Sequence, residues 1–252
     1  AVVNAYNAEH PLEFYHFFRD NGCQYLQFTP IVERLTEHED GHTLASLADV
    51  SHEDNYEDVG NAKKQKENQE ITIADFSVTP EQWGKFLCTI FDDWVRHDVG
   101  KIFVEIFDCT LANWIGVQPG ICAYSKECGH AGVMEHNGDV FSCDHFVFPE
   151  YKLGNIQDKS LIDMLYGEKQ QAFSRLKHTS LPRQCKECDM EFACHGECPK
   201  NRFENDKYGE PGLNYLCKGY YEYYTHVTPY MDFMKRELQA QRPPANIMNV
   251  LK

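Results

Sequence analysis

The sequence lacks the features that mark a membrane or nucleic-acid-binding protein. No apolar run approaches the ~20 residues of a membrane-spanning helix, and the first residues do not resemble a secretory signal. Positive charge is scarce, since 24 Lys and Arg residues face 39 Asp and Glu residues, for a formal net charge of −15. Binding to nucleic acid or to an anionic membrane needs a basic surface. We therefore expect a cytoplasmic protein with no nucleic-acid and no membrane partner.

Cysteine, in contrast, is abundant. The chain has 252 residues, of which 42% are hydrophobic, 13% are aromatic and 11 are cysteines. This composition is globular, and the length suffices for one large domain or two modest ones. An odd number of cysteines without a secretory signal argues against a disulfide framework. Three cysteines stand among apolar residues in the first half, whereas eight crowd into residues 122–217.

The first half has the pattern of alternating helices and strands. A helical pattern covers residues 11–20, and residues 25–30 alternate like a short strand. Residues 79–97 begin with a capping box and continue as an amphipathic helix, after which residues 102–106 resemble a strand. This order predicts βαβ units from a parallel sheet. We interpret the charged segment at about 34–75 as a surface insertion.

The second half has shorter elements and more loops. Residues 132–142 place an Asn137-Gly138 turn between apolar segments, which predicts a β-hairpin. Residues 180–214 are too poor in apolar side chains to fold without covalent or metal staples. An aromatic helix is predicted from Tyr215 towards Gln239, and the last eight residues are predicted to be a loose tail.

Eight cysteines of the second half have the spacing of metal ligands. A Cys-x2-Cys turn lets two thiolates converge on one metal, so the spacing favours a metal site over chance. Eight thiolates divide into four and four, which fits two zinc sites or two [4Fe-4S] clusters. The spacing does not separate these alternatives, and a structural zinc-binding interaction module stays open. The candidates are Cys122, Cys128, Cys143, Cys185, Cys188, Cys194, Cys198 and Cys217.

The cysteine pattern also resembles that of a known family. With Gly138-x4-Cys143 at its centre, it is similar to the seven-cysteine SPASM signature of radical S-adenosylmethionine (SAM) enzymes. The extra Cys128, Asp144 and residues 148–155 resemble the anaerobic sulfatase-maturating enzymes. These enzymes convert an active-site Cys or Ser of a sulfatase to formylglycine. Two segments of the front half are similar to late barrel strands of that family, so the resemblance covers nearly the whole chain.

The resemblance implies two auxiliary [4Fe-4S] clusters whose ligands interlock along the chain. Eight thiolates would fill eight ligand positions, so neither cluster would have an open iron for substrate. Electron transfer or structural support is then the role that remains. By this resemblance, Cys122, Cys128, Cys143 and Cys198 hold one cluster, and Cys185, Cys188, Cys194 and Cys217 hold the other.

The resemblance also implies a radical oxidation. A 5′-deoxyadenosyl radical takes a hydrogen atom from Cβ of the target residue, and the substrate radical then loses one electron and one proton. Asp144 matches the position of the base that accepts the proton, and an auxiliary cluster can accept the electron. The implied partners are an unfolded or nascent sulfatase polypeptide and an electron donor such as flavodoxin or ferredoxin. Another SPASM peptide-modifying enzyme is the alternative function.

One defining motif of that family is absent. Cys-x3-Cys-x2-Cys, whose three thiolates leave one iron free to bind SAM, does not occur in the 252 residues. The front half holds only about two of the six (β/α) units of the family's partial barrel. We therefore expect the C-terminal part of a longer oxidoreductase, inactive alone, whose missing part holds SAM and a third [4Fe-4S] cluster. The expected fold is an α/β remnant of a partial (β/α)6 barrel over 1–115, a small loop-rich α+β SPASM domain over 116–240, and a tail over 241–252.

Overall fold

The protein is described by a computed structural model that covers residues 1–36, 43–44 and 72–251. Most of the charged segment predicted as a surface insertion at about 34–75 lies outside these residues. Its described ends form short strands that pair with each other in an antiparallel sheet. The two ends of the segment are therefore close together in the fold.

In its described residues, the front half combines short strand pairs with three α-helices. In chain order, its elements are β1 (Val2–Val3), α1 (Pro11–Asp20), β2 (Tyr25–Leu26), β3 (Thr29–Pro30), β4 (Arg34–Thr36), β5 (Thr43–Leu44), β6 (Thr72–Ile73), α2 (Pro80–His97), β7 (Phe103–Val104) and α3 (Glu105–Trp114). The pairs β1–β3 and β2–β7 are parallel, as the βαβ pattern predicts, whereas β4 pairs antiparallel with β5 and β6. The described strands form no closed barrel. The mixed α/β class is confirmed.

Helix α2 begins with the predicted capping box. The backbone N–H of Gln82 donates to the hydroxyl of Thr79 at 3.2 Å, and the N–H of Thr79 donates to the Gln82 side chain at 3.1 Å. The next prediction is wrong in part, because a strand over 102–106 would continue past the point where α3 begins, at Glu105. The strand therefore ends early and points the first turn of α3 towards the second half.

The second half consists of a three-stranded antiparallel sheet, several short helices and one long helix. Its elements are β8 (Val133–Met134), β9 (Asp139–Phe141), β10 (Lys152–Asn155), α4 (Leu161–Leu165), α5 (Glu168–Thr179), α6 (Arg183–Lys186), α7 (Glu191–Cys194), β11 (Glu204–Asn205), β12 (Pro211–Leu213), α8 (Cys217–Gln239) and α9 (Ile247–Val250). Strands β8 and β9 form the predicted hairpin, and Gly138 in its turn has a φ of +85°. In the described ranges, no helix has both the length and the apolar sequence needed to cross a bilayer.

One hydrophobic core runs through both halves. Trp83 and Phe91 of α2 and Tyr223 of α8 are fully buried and belong to the same cluster of core residues. The rings of Phe91 and Tyr223 meet edge to face, with their centroids 6.4 Å apart. The core is therefore continuous across residue 115, where the composition of the sequence changes.

The prediction of a loose tail is wrong for the residues around α9. Ile247 is only 2% exposed and belongs to the core cluster, and Met248 packs against it. Before α9, the side chain of Asn246 donates a 2.6 Å hydrogen bond to the carboxylate of Glu237 in α8. Ile247, Met248 and Leu251 therefore anchor this segment to the core.

Two glycines allow α2 and α8 to pack closely. A β-carbon on Gly219 would lie 2.2 Å from the carbonyl oxygen of Pro80 and 2.9 Å from the backbone nitrogen of Gly84. Both neighbours are backbone atoms, which cannot move aside as a flexible side chain can. The absence of a side chain at Gly219 therefore sets how near the start of α8 approaches the start of α2.

We expect Gly219→Ala to lower the free energy of unfolding by about 2 kcal/mol, the usual scale for overpacking a core. Chemical denaturation followed by circular dichroism measures this change. The matched control is Gly120→Ala, where an added β-carbon meets no atom within 4 Å. Equal stability of the two variants would show that the helix contact does not limit the fold.

Candidate metal centres

Eight cysteines line two cavities, four in each. The Cys122 cavity has a volume of about 270 Å³, and its cysteines are Cys122, Cys128, Cys143 and Cys198. The Cys217 cavity has a volume of about 730 Å³, and its cysteines are Cys185, Cys188, Cys194 and Cys217. The remaining three cysteines, Cys23, Cys88 and Cys109, line neither cavity. The eight ligand candidates are thus brought together in two groups of four.

The cysteines of the Cys122 cavity come from four separate places in the chain. Cys122 opens a 3₁₀ turn, and Cys128 lies in the loop after it. Cys143 follows strand β9 by two residues, and Cys198 directly precedes a further 3₁₀ turn. The backbone N–H of Cys128 donates to the carbonyl of Ser174 in α5 at 3.3 Å. A small cluster of buried aromatic residues packs against Cys128 and Cys143 and forms the wall below them.

The cysteines of the Cys217 cavity sit at helix ends. Cys185 is in α6, Cys188 follows that helix, Cys194 is the last residue of α7 and Cys217 is the first residue of α8. Short helices separated by tight turns let four side chains face one space within few residues. Pro80 of α2 also lines this cavity, so the front half forms part of its wall.

A left-handed turn separates two cysteines that are close in sequence. Cys194 and Cys198 are four residues apart but line different cavities. The three residues between them, 195–197, have φ angles of 48°, 66° and 54°. Side chains other than glycine rarely adopt this conformation, and two of these three residues are His195 and Glu197. The turn reverses the chain so that Cys198 points away from Cys194.

Arg202 holds this turn in place. It is 4% exposed, and its guanidinium donates hydrogen bonds to the carbonyls of His195 at 2.7 Å, Gly196 at 2.9 Å and Glu197 at 3.0 Å. A further bond of 2.6 Å reaches the carbonyl of Lys177 in α5. The guanidinium thus ties the turn between the two cavities to the helix behind the Cys122 cavity.

Burial keeps these thiols protonated when no metal is bound. It raises the pKa of Cys128 to about 12, of Cys185 to about 11 and of Cys217 to about 12. Burial likewise raises the pKa of Cys143 and Cys198. A metal or cluster binds the thiolate, so its binding must displace these protons.

In the described part of the chain, no three cysteine sulfurs of either cavity all lie within 4.8 Å of one another. Zinc binds thiolates at about 2.3 Å, which places the four sulfurs of a tetrahedral site about 3.8 Å apart. Among the described residues, Cys143, Asp144 and His145 form the one group of three or more ligand-type side chains whose donor atoms all lie within 4.8 Å. Four thiols around a wider space fit a cluster that offers one iron to each of them.

Asp144, the candidate base, lies at the mouth of the Cys122 cavity. Its side chain is exposed, and the thiol of Cys143 donates to its Oδ1 at 3.2 Å. Partial burial acts to raise the pKa of Asp144, but the bond from Cys143 and the charge of His145 outweigh it and lower the pKa. Asp144 is therefore ionised at neutral pH and can accept a proton from a molecule at this cavity.

Two buried charged residues near the Cys122 cavity escape prediction from the sequence. Lys177 is 0% exposed and Glu197 is 2% exposed. Burial raises the pKa of Glu197 to about 8, while Lys177 and the hydroxyl of Tyr224, 2.9 Å away, oppose that rise. The sequence does contain an indication that Lys177 is buried. It lies four residues after Phe173, and residues four apart share one face of a helix such as α5.

A third cavity of about 530 Å³ lies at the carboxyl ends of the parallel strands β2 and β7. Ligands of open α/β sheets bind at such ends. Glu105 lines both this cavity and the Cys122 cavity, and its Oε2 is buried without a hydrogen-bond partner among the described residues. Tyr25 and Phe103 stack on the wall of the third cavity with ring centroids 5.2 Å apart. The two cavities therefore meet at Glu105.

A family model matches the second half. The model is SPASM, described as an iron-sulfur cluster-binding domain, and it matches residues 126–189. The match includes Cys128, Cys143, Cys185 and Cys188.

Curated relatives match the whole chain. The chain is 62% identical over all 252 residues to a serine-type anaerobic sulfatase-maturating enzyme of Bacteroides thetaiotaomicron, of which it covers 56%. It is 25% identical over 230 residues to a cysteine-type anaerobic sulfatase-maturating enzyme of Clostridium perfringens, with 90% of this chain and 53% of the relative covered. The chain thus spans about half the length of these two relatives.

A solved structure has the same fold. It is described as "Native anSMEcpe with bound AdoMet", and it matches with a TM-score of 0.70 and 23% sequence identity. The match covers 94% of this chain and 56% of that structure. The overall arrangement of helices and strands in this chain therefore occurs within that structure.

Substitution of pairs of cysteines tests the division into two cavities. After anaerobic loading with iron and sulfide, the double variant Cys122→Ala/Cys198→Ala should keep about four irons per chain, because both residues line one cavity. The double variant Cys194→Ala/Cys198→Ala should keep almost none, because it damages both cavities. The control Cys88→Ala should keep the full content. About four irons in Cys194→Ala/Cys198→Ala would place these two cysteines in one site.

Proposed function

Because the chain belongs to the family of anaerobic sulfatase-maturating enzymes, we propose that it is the cluster-binding part of an oxidoreductase that converts a sulfatase residue to formylglycine. The observation that carries the proposal is the placement of eight thiols in two groups of four, in a chain 62% identical to such an enzyme throughout. The relative with this identity is named serine-type, which favours serine as the target residue.

We propose two [4Fe-4S] clusters on this chain, one for each cavity. Cys122, Cys128, Cys143 and Cys198 would hold the first, and Cys185, Cys188, Cys194 and Cys217 would hold the second. When bound, a cluster supplies a one-electron acceptor within the protein. The spread of the sulfur atoms supports clusters over single zinc ions. With four cysteines for each cluster, no iron stays open to bind a substrate.

Asp144 is the proposed base. After a hydrogen atom has been removed from Cβ of a target residue at the Cys122 cavity, the carboxylate of Asp144 would accept the proton of its side-chain hydroxyl or thiol. A cluster bound in the cavity could accept the electron that is lost in the same oxidation. The exposed position of Asp144 at the mouth of the Cys122 cavity, directly after Cys143, supports this role. The third cavity, which meets the Cys122 cavity at Glu105, offers room for the rest of the peptide.

We also propose the domain arrangement, the further cofactors, the partners and the location of the enzyme. The parallel pairs β1–β3 and β2–β7 are consistent with late units of a partial (β/α)6 barrel over residues 1–115, followed by a SPASM domain over 116–240. SAM and a third [4Fe-4S] cluster would bind outside these 252 residues, since Cys-x3-Cys-x2-Cys is not among them. The proposed partners are a sulfatase polypeptide and a flavodoxin or ferredoxin. A cytoplasmic location is also proposed.

The metal content distinguishes clusters from structural zinc. Chain prepared and reconstituted without oxygen should contain about eight irons and eight sulfides, as two four-cysteine clusters require. Elemental analysis, sulfide determination and the absorption spectrum measure this content. Stoichiometric zinc without charge-transfer absorption after the same treatment would instead establish a zinc-binding interaction module.

The role of Asp144 can be tested in a longer enzyme that contains this segment. Asp144→Asn keeps the size of the side chain but removes the basic oxygen. We expect cleavage of SAM to continue while the yield of formylglycine falls about 10²-fold, the usual scale for loss of a positioned base. Peptide mass spectrometry measures the product, and the iron content of the variant should be unchanged.

Asp189→Asn is the matched control for this experiment. Asp189 also directly follows a candidate ligand, Cys188, but it lines the Cys217 cavity. We expect the control to retain formylglycine formation. Near-normal product from Asp144→Asn with full iron content would show that Asp144 is only a surface acid.

A further inference from the structure

Lys177 is a buried cation whose ammonium donates to the backbone of the turn at Cys122, beside the Cys122 cavity. Its side chain is 0% exposed, and its Nζ donates to the carbonyls of Cys122 at 2.5 Å, Ala123 at 2.6 Å and Ser125. An ammonium group has three N–H donors and no acceptor, so these three carbonyls satisfy it completely. The turn that begins with Cys122 is therefore wrapped around the end of this lysine.

The contacts of Lys177 suit a charged side chain. Three carbonyl dipoles direct their negative ends at the ammonium, which offsets part of the cost of removing the charge from water. Within the described residues, no carboxylate oxygen forms an ion pair with Lys177. The hydrogen-bond partners of the ammonium are therefore neutral groups, while burial lowers the pKa of Lys177 and the charge of the nearby buried Glu197 acts to raise it.

The charge of Lys177 acts on the Cys122 cavity. The ammonium donates to the backbone carbonyl of Cys122, whose thiol lines the cavity together with those of Cys128, Cys143 and Cys198. Arg202 donates to the carbonyl of Lys177 at 2.6 Å, which fixes the helix position of the lysine relative to the turn at 195–197.

A fixed cation beside an all-thiolate cluster affects its reduction. Four thiolates give such a cluster a net negative charge, and a gained electron increases that charge by one. A nearby positive charge in a buried region stabilises the more negative form, because the attraction is weakly screened there. The reduction potential of the cluster then rises.

We propose that Lys177 supplies the compensating positive charge for the cluster held in the Cys122 cavity and thereby raises the reduction potential of that cluster. The inference rests on the proposed function, since it assumes a cluster at this cavity. Cys122, Cys128, Cys143 and Cys198 would hold a cluster that supplies a one-electron acceptor, and no bond to Lys177 would form or break. The lysine acts as a positioning residue through the turn at Cys122 and through its charge.

Three substitutions separate the charge from the shape of the side chain. Lys177→Met keeps the length without charge, Lys177→Gln can still donate to the carbonyls, and Lys177→Arg keeps the charge. The control is Lys218→Met, beside the candidate ligand Cys217, where the lysine side chain is 72% exposed and pairs with Glu81 at 2.8 Å. Iron content and redox titration followed by electron paramagnetic resonance are measured on each reconstituted chain.

We expect both neutral variants to shift one of the two midpoint potentials to a more negative value and to leave the other unchanged. Lys177→Arg and Lys218→Met should retain both wild-type potentials. Loss of one cluster in both neutral variants, with retention in Lys177→Arg, would also support the proposed charge compensation, because Lys177→Gln keeps hydrogen-bond donors but lacks the charge that Lys177→Arg retains.

Unchanged potentials in a neutral variant that keeps about eight irons would overturn the proposal. Loss of one cluster in all three Lys177 variants would overturn it too, because shape and not charge would then be required. Failure of the proposed function has a different signature. In that case the unsubstituted chain would itself lack one or both clusters.

Discussion

The separation of Cys194 from Cys198 is the constraint on which both proposed metal sites depend. Three consecutive residues in the left-handed region, 195–197, turn the chain between them, and such conformations cost about 1–3 kcal/mol each for side chains other than glycine. Arg202 offsets this cost by bonding to all three carbonyls of the turn. Without the reversal, Cys198 would remain with its neighbours in sequence, and each cavity would have the wrong number of thiols.

The front half of the chain positions both cavities from outside. Cys217 is the first residue of α8, and the close contact of Gly219 with Pro80 sets where that helix begins. Asn113 of α3 donates to the carbonyls of Tyr124 at 2.9 Å and Ala193 at 3.0 Å, one in each ligand-bearing segment. The cluster-binding half therefore shares its core and its alignment with the α/β half.

Local signals were predicted well from the sequence, whereas contacts between distant residues were not. The capping box of α2 and the hairpin at 132–142 depend on neighbours within a few residues, and both are confirmed. The grouping of the cysteines followed from family resemblance, because spacing does not encode which distant thiols meet. The buried Lys177 was missed, since charged residues are expected at the surface.

The central claim is that the two clusters have interleaved ligands: Cys198 belongs to the first site, although cysteines of the second site stand on both sides of it in the sequence. The most direct measurement is a crystal structure of the anaerobically reconstituted chain, with anomalous diffraction recorded at the iron edge. We expect two separate iron peaks, with Cys198 bound to the one beside Cys122 and Cys194 bound to the one beside Cys217. One peak that binds both Cys194 and Cys198, or zinc in place of iron, would contradict the account.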